Sequence, residues 1–123
     1  MELTTAEEVH VVCLFPALEN AMDFDGYVHG CLPDIDNVPD IFGAQQILDR
    51  RDEPAGIEQK LLINATTIEI SDLPALVKGY GGFCYPAHID RASNSVLSNL
   101  GFIPPECAFR TLEVADPEAF FAD

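Results

Sequence analysis

The sequence predicts an α/β fold with parallel strands, and two observations indicate it. Short apolar runs alternate along the chain with segments of helical spacing that begin or end at capping residues. The run at residues 9–15 is apolar except for His10 and stops at Pro16, as a strand buried on both faces does. The 123 residues, 48% of them hydrophobic, suffice for one small core, so residues 1–123 are expected to form a single domain.

The first half of the chain continues from that strand into a helix and then a long loop. Apolar residues among acids predict a helix over residues 17–29. Asp, Asn and Pro are dense over residues 32–42 and favour a loop. Residues 43–50 and 57–63 are then expected to pair as a hairpin about a polar turn at residues 52–56.

The second half repeats the alternation of helix and strand. Ser71 is expected to cap a helix that runs through Gly79, and residues 83–87 read as the next strand. A helix over residues 93–100, a strand over residues 109–114 and a short helix from Pro117 complete the predicted order.

The charge of the chain restricts its partners. Twenty-one acidic residues face six basic ones, for a formal net charge of -15, so non-specific binding of nucleic acid is disfavoured. Such acidity either helps to gather divalent cations or simply forms a solvated surface. The charge alone does not decide between these two interpretations.

Cysteine usage and hydropathy indicate a cytoplasmic protein. The four cysteines match no CxxC zinc pattern and no dense disulfide framework, and they read as buried thiols in a reducing compartment. No basic segment followed by an apolar run marks the N-terminus, and no apolar stretch reaches the roughly 20 residues that a membrane span needs. We therefore expect no membrane partner.

Three chemically useful side chains follow the strand at residues 83–87. His88, Asp90 and Arg91 lie where loops at the carboxyl edge of a sheet carry polar groups. His88 is a candidate metal ligand, Asp90 a residue that orients its ring, and Arg91 a bidentate contact for phosphate. The alternative is a strand-ending His bonded to a loop, beside a surface ion pair of Asp90 with Arg91.

Two further candidates lie near the start of the chain. His10 interrupts an apolar run, where an imidazole needs a partner, and a metal ion is one such partner. Glu2 is the acid that would share that ion, although the two also read as an exposed acid and a buried strand His. His29, near a predicted helix end, is explained by the helix dipole and receives no functional role.

Three segments, residues 2–15, 61–66 and 86–91, resemble in order the central part of the PHP (polymerase and histidinol phosphatase) domain family. The resemblance implies a distorted (β/α)7-type barrel that binds up to three divalent metal ions (Zn, Mn or Fe) and hydrolyses phosphoesters. It assigns Glu2, His10 and His88 as metal ligands and Arg91 as the phosphate contact. The expected substrate is a phosphorylated small molecule or a nucleotide.

The chain departs from the family pattern in its remaining ligands. The early His-x-His and late Asp-x-His motifs are missing, since the only histidines are at positions 10, 29 and 88. The resemblance therefore implies a partial PHP domain without its first and last strands, with at most one ion and with exposed strand edges through which it could self-associate. A PHP-derived binding or assembly module without catalysis is the alternative function.

Overall fold

The computed structural model describes residues 1–122 and consists of short elements around two small antiparallel sheets. In chain order the elements are β1 (Glu2–Thr4), β2 (His10–Leu14), α1 (Leu18–Cys31), α2 (Pro39–Phe42), β3 (Gln46–Leu48), β4 (Pro54–Ile57), α3 (Leu73–Gly79), β5 (Phe83–Pro86), α4 (Val96–Leu100), a 3-10 turn (Pro105–Cys107) and α5 (Pro117–Phe120).

The main sheet has the strand order β1-β2-β5, with both pairs antiparallel. A tight turn joins β1 to β2, in which the hydroxyl of the fully buried Thr5 accepts a bond from the Val9 amide at 3.2 Å. Glu8 takes a positive φ of 65° in this turn. The sheet is therefore nucleated by a local hairpin and then extended by β5, which comes some seventy residues later in the sequence.

One face of this sheet carries the hydrophobic core. Leu3, Val11 and Cys13 are buried and point to the same side, as the strand pairing and the twofold period of strands require. Against them pack helices α1, through Phe24 and Val28, and α3. The remaining core residues are Val9, Ile68, Ile70, Leu73, Val77, Ile89, Val96 and Cys107.

The prediction of parallel strands and of a (β/α)7-type barrel is wrong. Among residues 1–122 the strands form a three-stranded and a two-stranded antiparallel sheet, and no barrel closes. The run at residues 9–15 misled the prediction because it is apolar on both faces while only one face is packed: Cys13 is fully buried, whereas Leu14 is 43% exposed. Strand β1 was also missed, and it supplies the antiparallel partner.

The helices were predicted better than the later strands. Helices were expected over residues 17–29, 71–79 and 93–100 and from Pro117, and a helix forms at each place, with α1 continuing two residues past its predicted end to Cys31. A hairpin also forms between residues 43 and 63, but its second strand begins at Pro54 and its turn is at residues 49–53. The strand expected over residues 109–114 is absent, and its place is taken by an irregular segment whose Glu113 amide bonds to the Pro86 carbonyl at 3.2 Å.

Two further backbone contacts flank the main sheet, one at β1 and one beyond the end of β5. The Thr66 amide donates to the Thr4 carbonyl at 2.9 Å, and the Ile89 amide donates to the Glu113 carbonyl at 2.9 Å. In residues 1–122 no helix has the length and apolar character needed to cross a membrane.

Candidate metal centre

Glu2 and His10 lie on the face of the main sheet that points away from the core. In the β1–β2 pair Thr4 lies opposite His10 and Glu2 lies opposite Val12, so Glu2 and His10 are diagonal neighbours on one face. One carboxylate oxygen of Glu2 lies 3.4 Å from Nδ1 of His10. The hairpin register thus brings together two residues that are eight positions apart in the sequence.

His88 reaches the same face by a break in the strand. The Ala87 amide donates to the His10 carbonyl at 3.0 Å, so regular alternation would turn the next side chain, that of His88, toward the core. His88 instead has a positive φ of 29°, a conformation that costs a residue with a Cβ about 1–2 kcal/mol. Its Nε2 then lies 3.3 Å from Nδ1 of His10, with the rings edge to face.

The strained backbone of His88 is fixed on both sides. Its amide donates to a carboxylate oxygen of Glu113 at 3.0 Å, and its carbonyl accepts from the Arg91 amide at 3.0 Å. Backbone strain at an ordered, polar position is a feature of functional sites, because surrounding contacts must hold it in place. Glu113 is a residue that sequence reasoning missed, and its separation of 25 positions from His88 left no local signal.

The three donor atoms are spaced as ligands of one metal ion are. One donor each from Glu2, His10 and His88 lies within 4.8 Å of the other two. Zinc–nitrogen bonds of 2.0–2.1 Å at tetrahedral angles place neighbouring ligand atoms about 3.3 Å apart. Nδ1 of His10 lies 3.3 Å from Nε2 of His88 and 3.4 Å from a carboxylate oxygen of Glu2, which matches this ligand–ligand distance. Both separations exceed the usual 2.7–3.2 Å of an N–H hydrogen bond.

The protonation of His10 favours a metal ion. Burial lowers the pKa of the His10 imidazole, the nearby His88 and Arg91 lower it further, and only Glu2 raises it. A lowered pKa leaves the ring neutral near pH 7, with a lone pair for coordination. His88 is 9% exposed, and its buried Nδ1 hydrogen-bonds to no residue among 1–122.

Asp90 and Arg91 take different positions from the ones expected. Both carboxylate oxygens of Asp90 accept backbone amides, from Ala115 and from Asp116 at 2.8 Å each, and these bonds hold the pKa of Asp90 below its usual range. Asp90 therefore anchors the C-terminal segment and does not bond to the His88 ring. Arg91 is exposed and forms no ion pair with Asp90 within the described chain.

The third histidine lies away from this cluster. His29 is in the last turn of α1, and its Nε2 lies 3.0 Å from a carboxylate oxygen of Glu58. The Lys60 ammonium donates to the His29 carbonyl at 2.8 Å. The sequence interpretation correctly put His29 near a helix end but missed the acid that contacts its ring.

No protein-family model, no curated protein and no solved structure matches this chain. Any functional conclusion therefore rests on the geometry of the chain itself.

Proposed function

We propose that the chain binds one divalent metal ion, preferably zinc, through Glu2, His10 and His88, and uses it to hydrolyse phosphoesters. The observation that supports the proposal is the spacing of the three donors, in which Nδ1 of His10 lies 3.3 Å from the His88 donor and 3.4 Å from the Glu2 donor. Two imidazoles and one carboxylate form the ligand set of mononuclear hydrolytic zinc centres, which keep a further coordination position for water or substrate.

The location of the cluster leaves room for a substrate. The side chain of Glu2 is 45% exposed and that of His10 is 28% exposed, so these two donors reach solvent, whereas His88 is 9% exposed. A bound zinc ion lowers the pKa of a coordinated water to about 7 and polarises a phosphoryl oxygen. The residues of the chain provide the orientation, because the β1–β2 register and the turn at His88 fix the donors before any ion arrives.

Arg91 supports a phosphoester as the substrate. Arg91 follows His88 by three positions, its positive charge helps to lower the pKa of His10, and it is exposed and without a salt bridge among residues 1–122. A planar guanidinium of this kind binds two phosphate oxygens at once. The barrel implied by the PHP resemblance is absent, so the proposal rests on the three donors and on Arg91 rather than on that resemblance.

Metal binding is tested by titrating the metal-free protein with Zn²⁺ in a calorimeter. We expect one ion per chain, and at least about 100-fold weaker binding for His10→Gln and His88→Asn, because even residues behind a ligand contribute 10–100-fold. Asn is chosen at position 88 because it tolerates a positive φ. His29→Gln, which removes an imidazole outside the cluster, is the matched control and should bind zinc as the parent does.

Hydrolysis is tested with the zinc-loaded protein on p-nitrophenyl phosphate and bis(p-nitrophenyl) phosphate. We expect release of p-nitrophenolate that chelator abolishes, and a drop in turnover of about 10-fold or more for Arg91→Met without any loss of zinc affinity. Equal affinity for zinc in His10→Gln and the parent would refute the metal site. Tight zinc binding without turnover on either ester would instead refute the enzymatic part and favour the binding module.

A further inference from the structure

A groove elsewhere in the fold shares no lining residue with the three metal donors. It has a volume of about 600 Å³ and runs between helix α3, strand β5 and the segment that follows the 3-10 turn. Its walls include Phe83 and Phe109, and Phe83 is 55% exposed. This volume falls within the range of 300–1,000 Å³ that is typical of small-molecule sites.

The charge of the groove is opposite to that of the chain. Lys78 and Arg110 both line it, which is two of only six basic side chains in the protein. None of its ten lining residues is acidic, although Asp and Glu make up 21 of 123 residues. Neither cation forms a salt bridge among residues 1–122. Two unpaired cations beside apolar walls, in a chain of net charge -15, are complementary to an anion.

The rest of the wall is suited to reversible binding. Thr111 adds a hydroxyl, and the thiol of Cys84 forms part of the apolar surface. Burial raises the pKa of Cys84 to about 11, so the thiol stays protonated and is a weak nucleophile near pH 7. The nearest acid in sequence, Glu106, accepts a bond from the Ser71 hydroxyl at 3.2 Å and does not line the groove.

We propose that this groove binds a small organic anion, a carboxylate attached to a flat apolar body, with Lys78 and Arg110 on the carboxylate and Phe83 and Phe109 on the apolar part. Cations fix the charged end, and aromatic faces bury the remainder. The site shares no residue with the metal cluster, so it is independent of the proposed hydrolysis.

The test uses 2-naphthoate as the probe and its uncharged amide, 2-naphthamide, as the matched ligand. Each is titrated into metal-free, isotopically labelled protein while amide shifts are recorded. We expect 2-naphthoate to shift the amides of Lys78, Phe83 and Arg110 in a saturable way. We expect the affinity of 2-naphthamide to be at least about 10-fold lower than that of 2-naphthoate, and added salt to reduce this difference in affinity.

Two double variants separate the groove from general charge effects. Lys78→Met with Arg110→Met should remove the preference for 2-naphthoate. Both side chains are exposed, so the fold should persist, and the amide spectrum of the double variant checks that it does. Arg50→Met with Arg51→Met removes the same charge at exposed positions outside the groove and should leave the preference intact. Equal binding of acid and amide, or shifts confined to other residues, would overturn the proposal.

Discussion

The body of the protein and the arm at residues 33–60 are built from similar local elements but are held together by different forces. The body contains the main sheet with α1, α3 and α4, and every buried hydrophobic side chain of the described chain belongs to it. The arm contains α2, β3 and β4, and no residue of those elements is buried. Its large apolar side chains stay in solvent, since Ile41 remains 73% exposed and Ile57 61% exposed.

Polar contacts hold the arm in place of a core. The Gln45 side chain donates to the carbonyls of Glu58 and Lys60 at 3.0 and 2.7 Å, and Asp49 accepts two backbone amides in the turn. The His29–Glu58 contact ties the arm to helix α1. Since an exposed hydrogen bond contributes little net free energy, the arm should open far more readily than the body. Apolar composition alone therefore does not predict burial.

Truncation of an aromatic ring in the body should have the largest effect. Phe24 is fully buried between Phe15 and Tyr80, with ring centroids at 5.1 and 5.3 Å. Phe24→Ala should lower the free energy of unfolding by about 3–5 kcal/mol through lost burial and a cavity. Ile57→Ala in the arm is the control and should cost no more than about 0.5 kcal/mol. Urea denaturation of both variants measures the difference, and similar losses would contradict the division into body and arm.

A pair of glycines tests how closely the body is packed. A Cβ on Gly82 would lie 2.4 Å from the Leu14 carbonyl oxygen and 2.6 Å from the Phe15 ring, and the carbonyl belongs to strand β2 and cannot move aside. Gly82→Ala should therefore destabilise the protein by about 1–3 kcal/mol. A Cβ on Gly79, at the end of α3, meets nothing within 4 Å. Gly79→Ala should leave the melting temperature unchanged or raise it slightly, and equal losses in the two variants would show that packing is not the cause.

Loss of the contact between arm and body should have a smaller and local effect. The hydrogen bond with His29, and then the bond from the Lys60 amide, lower the pKa of the Glu58 carboxyl. Surface pairs of this kind contribute about 0.2–1 kcal/mol, so Glu58→Gln should speed amide exchange in β3 and β4 by about two- to fivefold. Amides of β2 should be unaffected. Faster exchange in β2 as well would mean that the arm is part of the cooperative core.

The same contact should depend on pH in a defined direction. The pKa of Glu58 is lower in the folded state, so the folded state binds fewer protons and the stabilisation is present above the ordinary carboxyl pKa. It is lost as pH falls through the folded value. In the parent protein, amide exchange in the arm should therefore become faster relative to amide exchange in β2 as the pH is lowered. In Glu58→Gln this relative acceleration should be much smaller. A parent protein that shows no such change would contradict a stabilising role for the His29–Glu58 contact.

Local patterns predicted the elements of the body, and long-range contacts explain what they missed. The helices α1 and α3 and the strands β2 and β5 follow from spacing and from Pro and Gly positions, which neighbouring residues determine. The antiparallel order depends on β1, which is only three residues long. The three donors of the candidate site were named from the sequence, but their meeting requires the positive φ at His88 and the distant Glu113 that supports it.

The C-terminal segment at residues 115–120 belongs to the body, but polar hydrogen bonds hold it in place, as they hold the arm. Asp90 accepts the amides of Ala115 and Asp116, and these bonds lower its pKa. Asp90→Asn keeps one acceptor oxygen but replaces the other with an NH2 group that cannot accept, so amide exchange at residues 115 and 116 should rise while exchange in β2 stays unchanged. Asp116→Asn alters only the bond to the Ala119 amide that begins α5 and serves as the control. If Asp90→Asn lowered the unfolding free energy as Gly82→Ala does, the polar anchor of this segment would belong to the cooperative body, and only the arm would remain a separately opening region.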